Sequence, residues 1–231
     1  MKTSAPMFAV IAIDGPSASG KSSTAAAVAR ALGAVHLDSG ALYRALTTIA
    51  LEQTDRSPTA ILRAAAARGL MLRPGGGDLV PFLDDQDAEP RIRTPEVTAL
   101  VSEVSAMPAI REWVNLRLRE AAEGKGILVL DGRDIGTAVF PDAPVKVFLT
   151  ATPEARARRR LVQRGERADS EQVAVEAAAL AERDRLDSTR AVAPLRKADD
   201  AVVIDTTALS FDEQVGAIVR LVRRRFPFTA P

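Results

Sequence analysis

Cysteine does not occur in the 231-residue sequence. Disulfides, thiolate metal ligands and a cysteine nucleophile are therefore excluded, and the composition suits a cytoplasmic setting. Net charge is almost missing too: 31 basic side chains face 30 acidic ones. Composition thus makes no case for a nucleic-acid track or a membrane surface, and any cationic site must be local. No apolar run approaches the ~18 residues that span a bilayer. The apolar run before Asp14 is short and no small-residue cleavage site accompanies it, so no signal peptide is expected. Internal repeats and low-complexity linkers are missing, as is the N-K-x-D that a guanine-reading switch needs. Histidine occurs once, at His36. The length and a 47% hydrophobic content allow one globular domain over residues 1–231.

What is present begins with Gly15, Pro16, Ser17, Ala18, Ser19, Gly20, Lys21 and Ser22. They fit G-x-x-x-x-G-K-[ST], the loop whose backbone N–H groups cradle nucleotide phosphates. Phe8 to Ile13 reads as a strand buried on both faces and Ser23 to Leu32 as an Ala-rich helix, the setting this motif requires. Gly15 and Gly20 leave room for phosphate oxygens and turn consecutive amides and the helix dipole toward an anion. Lys21 adds a mobile charge for the β- and γ-phosphates. The Ser22 hydroxyl would ligate Mg²⁺, although Ser23 and Thr24 follow directly and leave the choice of hydroxyl open.

Four more apolar runs read as strands: Ala34 to Leu37, Ile127 to Leu130, Val145 to Leu149 and Ala201 to Ile204. With the first they predict an α/β fold whose central sheet has five buried parallel strands, flanked by helices. Residues 70–94 change texture to short strands joined by turns, an inserted antiparallel β element. Helices are expected from Ala41 to Gln53, Ser57 to Arg68, Pro95 to Ala106, Pro108 to Ala122, Pro153 to Arg164, Glu171 to Ser188 and Phe211 to Arg225. Ligands of such a sheet sit at the carboxyl ends of its strands.

Polar constellations fall at those ends. Asp131 closes Ile127-Leu-Val-Leu130, where a carboxylate would face Mg²⁺ or its waters; an ordinary strand end followed by a turn reads the same way. Gly132-Arg133-Asp134 then offers a planar guanidinium for a phosphate and a carboxylate that can accept from an amino group. Ser39 and Arg44 are either a ligand pair or an N-cap and a solvated arginine. His36 reads as a packed strand residue rather than a catalyst. Arg156, Arg160 and Arg164 recur every four residues and form either a solvated face or the arm of a lid over residues 154–170. Arg183, Asp187 and Arg190 share one side of a helix end beside the inward stripe Val173, Ala177, Leu180; intrahelical pairing is the alternative there.

In this order, the phosphate loop, DSGALYR, the β insert, DGRDIGTAVFPDAPVKVFL and ERDRLDSTRAVAPL make the chain closely resemble the bacterial cytidylate kinases, over nearly its whole length. The resemblance implies a P-loop kinase with a helical lid and a monophosphate-binding insert, transferring the γ-phosphoryl of ATP in line to CMP and dCMP with Mg²⁺. Lys21, Arg133, Arg156 and Arg160 are then the catalytic cations, with Gly15 to Ser23 holding ATP. Ser39, Ser102, Arg111, Asp134 and Arg190 are implied base contacts, and Arg183 and Asp187 sugar contacts. Arg44 and Arg133 are implied monophosphate contacts, with Tyr43 in the same pocket. A monomer acting on small nucleotides, with no nucleic-acid or membrane partner, is expected. Many nucleoside monophosphate kinases carry Gly-Thr after the loop lysine, whereas this chain has Ser22-Ser23.

Overall fold

The run Phe8–Asp14 (β1) is apolar on both faces because helices cover both sides of the sheet it centres. In the computed structural model, which describes residues 8–226, it lies parallel to Gly126–Gly132 (β6) on one side and Val145–Thr150 (β7) on the other. Val35–Asp38 (β2) extends the sheet beyond β6, and Val202–Asp205 (β8) beyond β7. The expectations about a leader and about one domain reaching both ends of the chain extend onto residues 1–7 and 227–231, outside the described residues.

The five parallel strands stand in the order β2-β6-β1-β7-β8. Two details differ from the sequence reading. The insert is antiparallel within itself as expected, through Met71–Gly75 (β3), Asp78–Leu83 (β4) and Gln86–Asp87 (β5), but β4 also runs parallel to β2 and so joins the central sheet. The result is one mixed eight-stranded sheet. The last strand is not buried either, because β8 is an edge with Val202 and Val203 44% and 50% exposed.

Lys21–Leu32 (α1) and Phe211–Arg225 (α8) cover one face, where Ala25, Val28, Ile218 and Val222 pack on Ile11, Ile13, Val147 and Leu149. The other face takes Ser39–Leu51 (α2), Pro58–Ala67 (α3), Pro95–Ala106 (α4) and Pro108–Ala122 (α5) over Val10, Ala12, Leu128 and Leu130. Pro at the first helical position marks α3, α4 and α5, and Ser57 and Thr94 cap the first two through their hydroxyls. Pro153–Gln163 (α6) and Ser170–Thr189 (α7) pack on each other through their own apolar cluster of Ala157, Leu161, Val173 and Leu180.

A π-helical turn, Ile135–Val139, follows β6 and was not foreseen. Asp14, at the end of β1, holds it. One carboxylate oxygen accepts from Ile135 N at 2.8 Å and the other from Gly136 N at 2.7 Å. This fixes the segment that presents Arg133 and Asp134. Burial lifts the Asp14 pKa to about 6 although the two N–H bonds pull it down.

Replacing Asp14 by Ala orphans two buried donors and should cost about 2–4 kcal/mol of unfolding free energy. In the native chain Asp14 titrates near 6, against 3.8 ordinarily. Its ionisation works against folding, so the associated stability is fully present below the lower value and gone once pH has risen past the higher one. The alanine variant lacks this slope. Its penalty in urea melts should therefore be larger at pH 5 than at pH 8 by about 1 kcal/mol; an equal or reversed difference contradicts the assignment.

Candidate active site

The loop between β1 and α1 opens with a close approach. A Cβ on Gly15 would lie 2.1 Å from the carbonyl oxygen of Leu149 in β7, so only glycine lets the chain turn there. Gly20 takes φ 89° as the N-cap of α1, which points the first amides of that helix into the loop. Lys21 folds back, its Nζ donating to the carbonyl of Pro16 at 2.6 Å with Ser19 Oγ at 3.4 Å. Burial, helped by the charge of Arg133, depresses its pKa to about 7.

Ser22 and Ser23 part company. Ser23 Oγ donates to the Gly20 carbonyl at 3.0 Å, whereas Ser22 Oγ donates to Asp131 Oδ2 at 2.5 Å, at the carboxyl end of β6. The other oxygen of Asp131 lies 2.9 Å from His36 Nε2. His36 is packed in its strand, as the sequence suggests, but it also touches the site. Burial alone would lower the His36 pKa, yet the hydrogen bond and charge of Asp131, with Asp38 and Asp78 behind it, hold it above the ordinary value. Ser39 Oγ donates to the Asp131 carbonyl at 2.8 Å. A side chain at Gly132 would collide with Ser39 Oγ at 2.6 Å, so the strand must end in glycine for α2 to approach.

Asp134 lies between two arginines. Arg111, 1% exposed on α5, donates to Oδ2 at 2.5 Å, and Arg190 to Oδ1 at 3.2 Å. Tyr43 lies under the Arg111 guanidinium, 5.4 Å from carbon to ring centre, with its hydroxyl buried and unpartnered. Burial holds that phenol well above its ordinary pKa. Ser102, on α4, lines the same space. A carboxylate flanked by donors, with a ring as wall, can read the hydrogen-bonding edge of a small heterocycle.

The cleft encloses about 590 Å³. Eight arginines and Lys21 line it, with Asp38, Asp131, Asp134 and Asp187 as its carboxylates. Among the described residues Arg44, Arg159, Arg160 and Arg183 have no carboxylate in ion-pair range; Arg159 is instead held by the hydroxyl and carbonyl of Thr206, leaving Arg44, Arg160 and Arg183. Arg44 donates to Thr98 Oγ1 at 3.0 Å, and Arg160 only to Gln163 at 3.4 Å. Burial and the neighbouring guanidiniums lower Arg183 to about 10; burial, with Arg93 and other arginines beyond it, does the same for Arg44, although Asp38 partly offsets the fall. Three under-neutralised guanidiniums facing a phosphate loop make a site for a second anion.

Two sequence expectations change. The arginines of α6 do not form one stripe: Arg156 is buried behind the loop, donating to the Ser17 carbonyl at 2.9 Å and to Asp184, and Arg164 pairs at the surface with Glu166 and Glu176. Only Arg160 of the three lines the cleft. Asp187 makes its close pair with Arg133 Nε at 2.9 Å, while Arg190 approaches it only to 3.8 Å. Arg133 also donates to Ser17 Oγ at 3.0 Å. Asp184, passed over in the sequence, accepts from Ser17 N at 2.8 Å. It stands one residue off the side that carries Arg183 and Asp187, and no spacing signal marks it.

A sequence model of the family described as cytidylate kinase matches residues 11–224. A cytidylate kinase of Mycobacterium leprae is 45% identical over 220 residues, covering 94% of this chain and 96% of its own length. One of Carboxydothermus hydrogenoformans is 41% identical, covering 93% and 97%. One of Anoxybacillus flavithermus is 45% identical, covering 93% and 96%.

With its pKa at about 7, Lys21 is a largely neutral amine at pH 8. A polyphosphate placed on it restores the charge. ADP binding without divalent cations at pH 8 should therefore take up close to one proton, seen as a dependence of the calorimetric enthalpy on the ionisation enthalpy of the buffer. Lys21→Met should abolish that dependence. Buffer-independent enthalpies in the unaltered protein would contradict the reading.

Proposed function

The chain belongs to the cytidylate kinase family and phosphorylates CMP and dCMP with ATP, and we propose that the cleft does so by holding two polyphosphate ends against one set of cations. One observation carries this: Arg44, Arg160 and Arg183 lie without ion-paired carboxylates in the same cleft as the phosphate loop. ATP occupies the loop and the acceptor's monophosphate lies among the arginines. An acceptor phosphate oxygen attacks the γ-phosphorus in line, the bond to the β–γ bridging oxygen breaks, and ADP leaves with that electron pair. No covalent enzyme intermediate is needed, because phosphoryl transfer passes through a loose transition state that asks for position and compensating charge.

Lys21 and Arg160 compensate charge on the transferring group, while Arg133, Arg44 and Arg183 hold the acceptor phosphate; Arg183, expected at the sugar, is assigned to the phosphate because no ion-paired carboxylate neutralises it. Arg156 is a positioning residue, holding the loop from behind. Asp134 accepts from the cytosine amino group, and Arg111, Arg190, Ser39 and Ser102 complete that edge with Tyr43 as wall; a 4-oxo base would turn an acceptor toward the carboxylate. Asp187 takes the sugar while pairing with Arg133. Residues 70–94 form part of the acceptor-binding region and 154–170 the lid of a single kinase domain.

Ser22 and Asp131 fit a Mg²⁺ edge: both offer oxygen, and the described residues contain no group of three or more acids or histidines that would cage the ion alone. Such an edge suits an ion that takes its other ligands from water and phosphates. When bound, Mg²⁺ offsets charge on the β- and γ-phosphates. We read the working form as a monomer in the cytoplasm, a setting that the cysteine-free composition suits. Among the described residues no helix is long and apolar enough to cross a membrane.

Steady-state kinetics with CMP, dCMP, UMP and AMP should rank the two cytidine nucleotides first; AMP ahead of CMP would overturn the base assignment. Arg133→Ala should lower kcat by roughly 10²–10³-fold. Because Arg133 and Asp187 pair, Asp187→Ala should raise the acceptor KM and lower kcat together, and the double variant should fall short of the product of the single effects. Additive losses would separate the two residues.

A further inference from the structure

His36 is the only histidine of the chain, and the reaction above does not use it. Its ring is buried beside the carboxylate read as facing the cation. An ionised carboxylate only accepts, so the 2.9 Å contact to Asp131 Oδ1 requires the proton on His36 Nε2. Asp131 Oδ2 takes the Ser22 hydroxyl at 2.5 Å, and its backbone carbonyl takes Ser39 at 2.8 Å. The terminal torsion of an aspartate is broad and roughly two-fold on its own. Here one donor on each oxygen fixes the carboxylate plane, and the donor that is not itself part of the proposed cation edge is His36.

We propose that His36 is a positioning residue for the cation side of the reaction: by holding Asp131 Oδ1 it keeps Oδ2 turned toward Ser22, in the attitude that meets a divalent cation or its waters. Carboxylates facing metals are commonly held from behind in this way, and loss of the outer partner weakens the metal site. The beads of this arrangement lie on adjoining strands, His36 on β2 and Asp131 on β6. The inference rests on reading Ser22 and Asp131 as the cation edge, so the test separates the two.

ADP affinity of the intact protein is measured calorimetrically in EDTA and again in Mg²⁺, the ratio being the Mg²⁺ increment. The variants are His36→Gln, His36→Asn and Asp131→Asn. A glutamine amide nitrogen stands as many bonds from Cβ as Nε2 and reaches Oδ1; that of asparagine stops one bond short. Both His36 variants should bind ADP in EDTA within about twofold of the unaltered protein, while the increment falls about tenfold in His36→Asn and Asp131→Asn and stays near the native value in His36→Gln. With CMP as acceptor, His36→Asn should lower kcat and leave the CMP KM unchanged. If Asp131→Asn loses the increment but both His36 variants keep it, the role of His36 is wrong and the cation edge stands. If Asp131→Asn keeps it, the edge itself is wrong. Equal losses in both His36 variants, or weaker binding already in EDTA, would make the histidine a packing residue and overturn the proposal.

Discussion

Eight arginines and Lys21 share one cleft with four aspartates, and a folded chain can hold that surplus only by deciding which cations are neutralised and which stay free. At roughly 4–8 Å in a partly desolvated site, each unscreened like-charge pair is worth kilocalories rather than tenths. The aspartates therefore do more than bind. Asp134 ties down Arg111 and Arg190, Asp187 ties down Arg133, and Asp184, behind the loop, ties down Arg156. Arg93 is tied down by Asp38 and Glu89, so what remains is Lys21 with a depressed pKa and four guanidiniums without ion-paired carboxylates, those of Arg44, Arg159, Arg160 and Arg183, of which Arg159 is bonded to Thr206. In the proposed reading two nucleotide phosphate groups supply the missing negative charge. The chain as a whole stays near neutral because acidic side chains outnumber basic ones outside this cleft.

The fold was largely legible because its signals are local. Apolar runs and Pro-initiated, hydroxyl-capped helices each report on their own few residues, and α4, α5 and α8 begin and end where pattern and punctuation place them. The phosphate loop was legible for the same reason. What escaped depends on contacts far apart in sequence. Pairing of β4 with β2 joins residues 42 positions apart, as in His36 with Asp78, and short strands do not announce their partners. Asp14 reads as the end of a strand; only the distant amides of Ile135 and Gly136 give it a role. Asp184 was masked by its neighbours: in a charged helical run, helical spacing separates faces but cannot say which face meets the phosphate loop. The choice between Ser22 and Ser23 was left open by sequence because both hydroxyls sit in the first turn of a helix. Geometry separates them: one bonds back to Gly20 and the other reaches Asp131.

The extra strands of the insert bear on the site through register. Parallel pairing sets His36 of β2 opposite Val129 of β6 and Asp38 opposite Asp131, while on its other edge β2 sets His36 opposite Asp78 of β4. The histidine ring thus stands between the carboxylate of Asp131 and that of Asp78, whose Oδ1 is 3.4 Å from Nδ1. Three carboxylates, Asp38, Asp78 and Asp131, raise the proton affinity of the ring against its burial. A freestanding insert would have left β2 an open edge and His36 facing water, free to turn away from Asp131. Extension of the sheet closes that edge, so the insert expected to bind the acceptor also buries the side chain that steadies the carboxylate on the donor side. A slip of one residue in the β2–β6 pairing would turn His36 to the other face of the sheet, and the two halves of the cleft would lose their shared support.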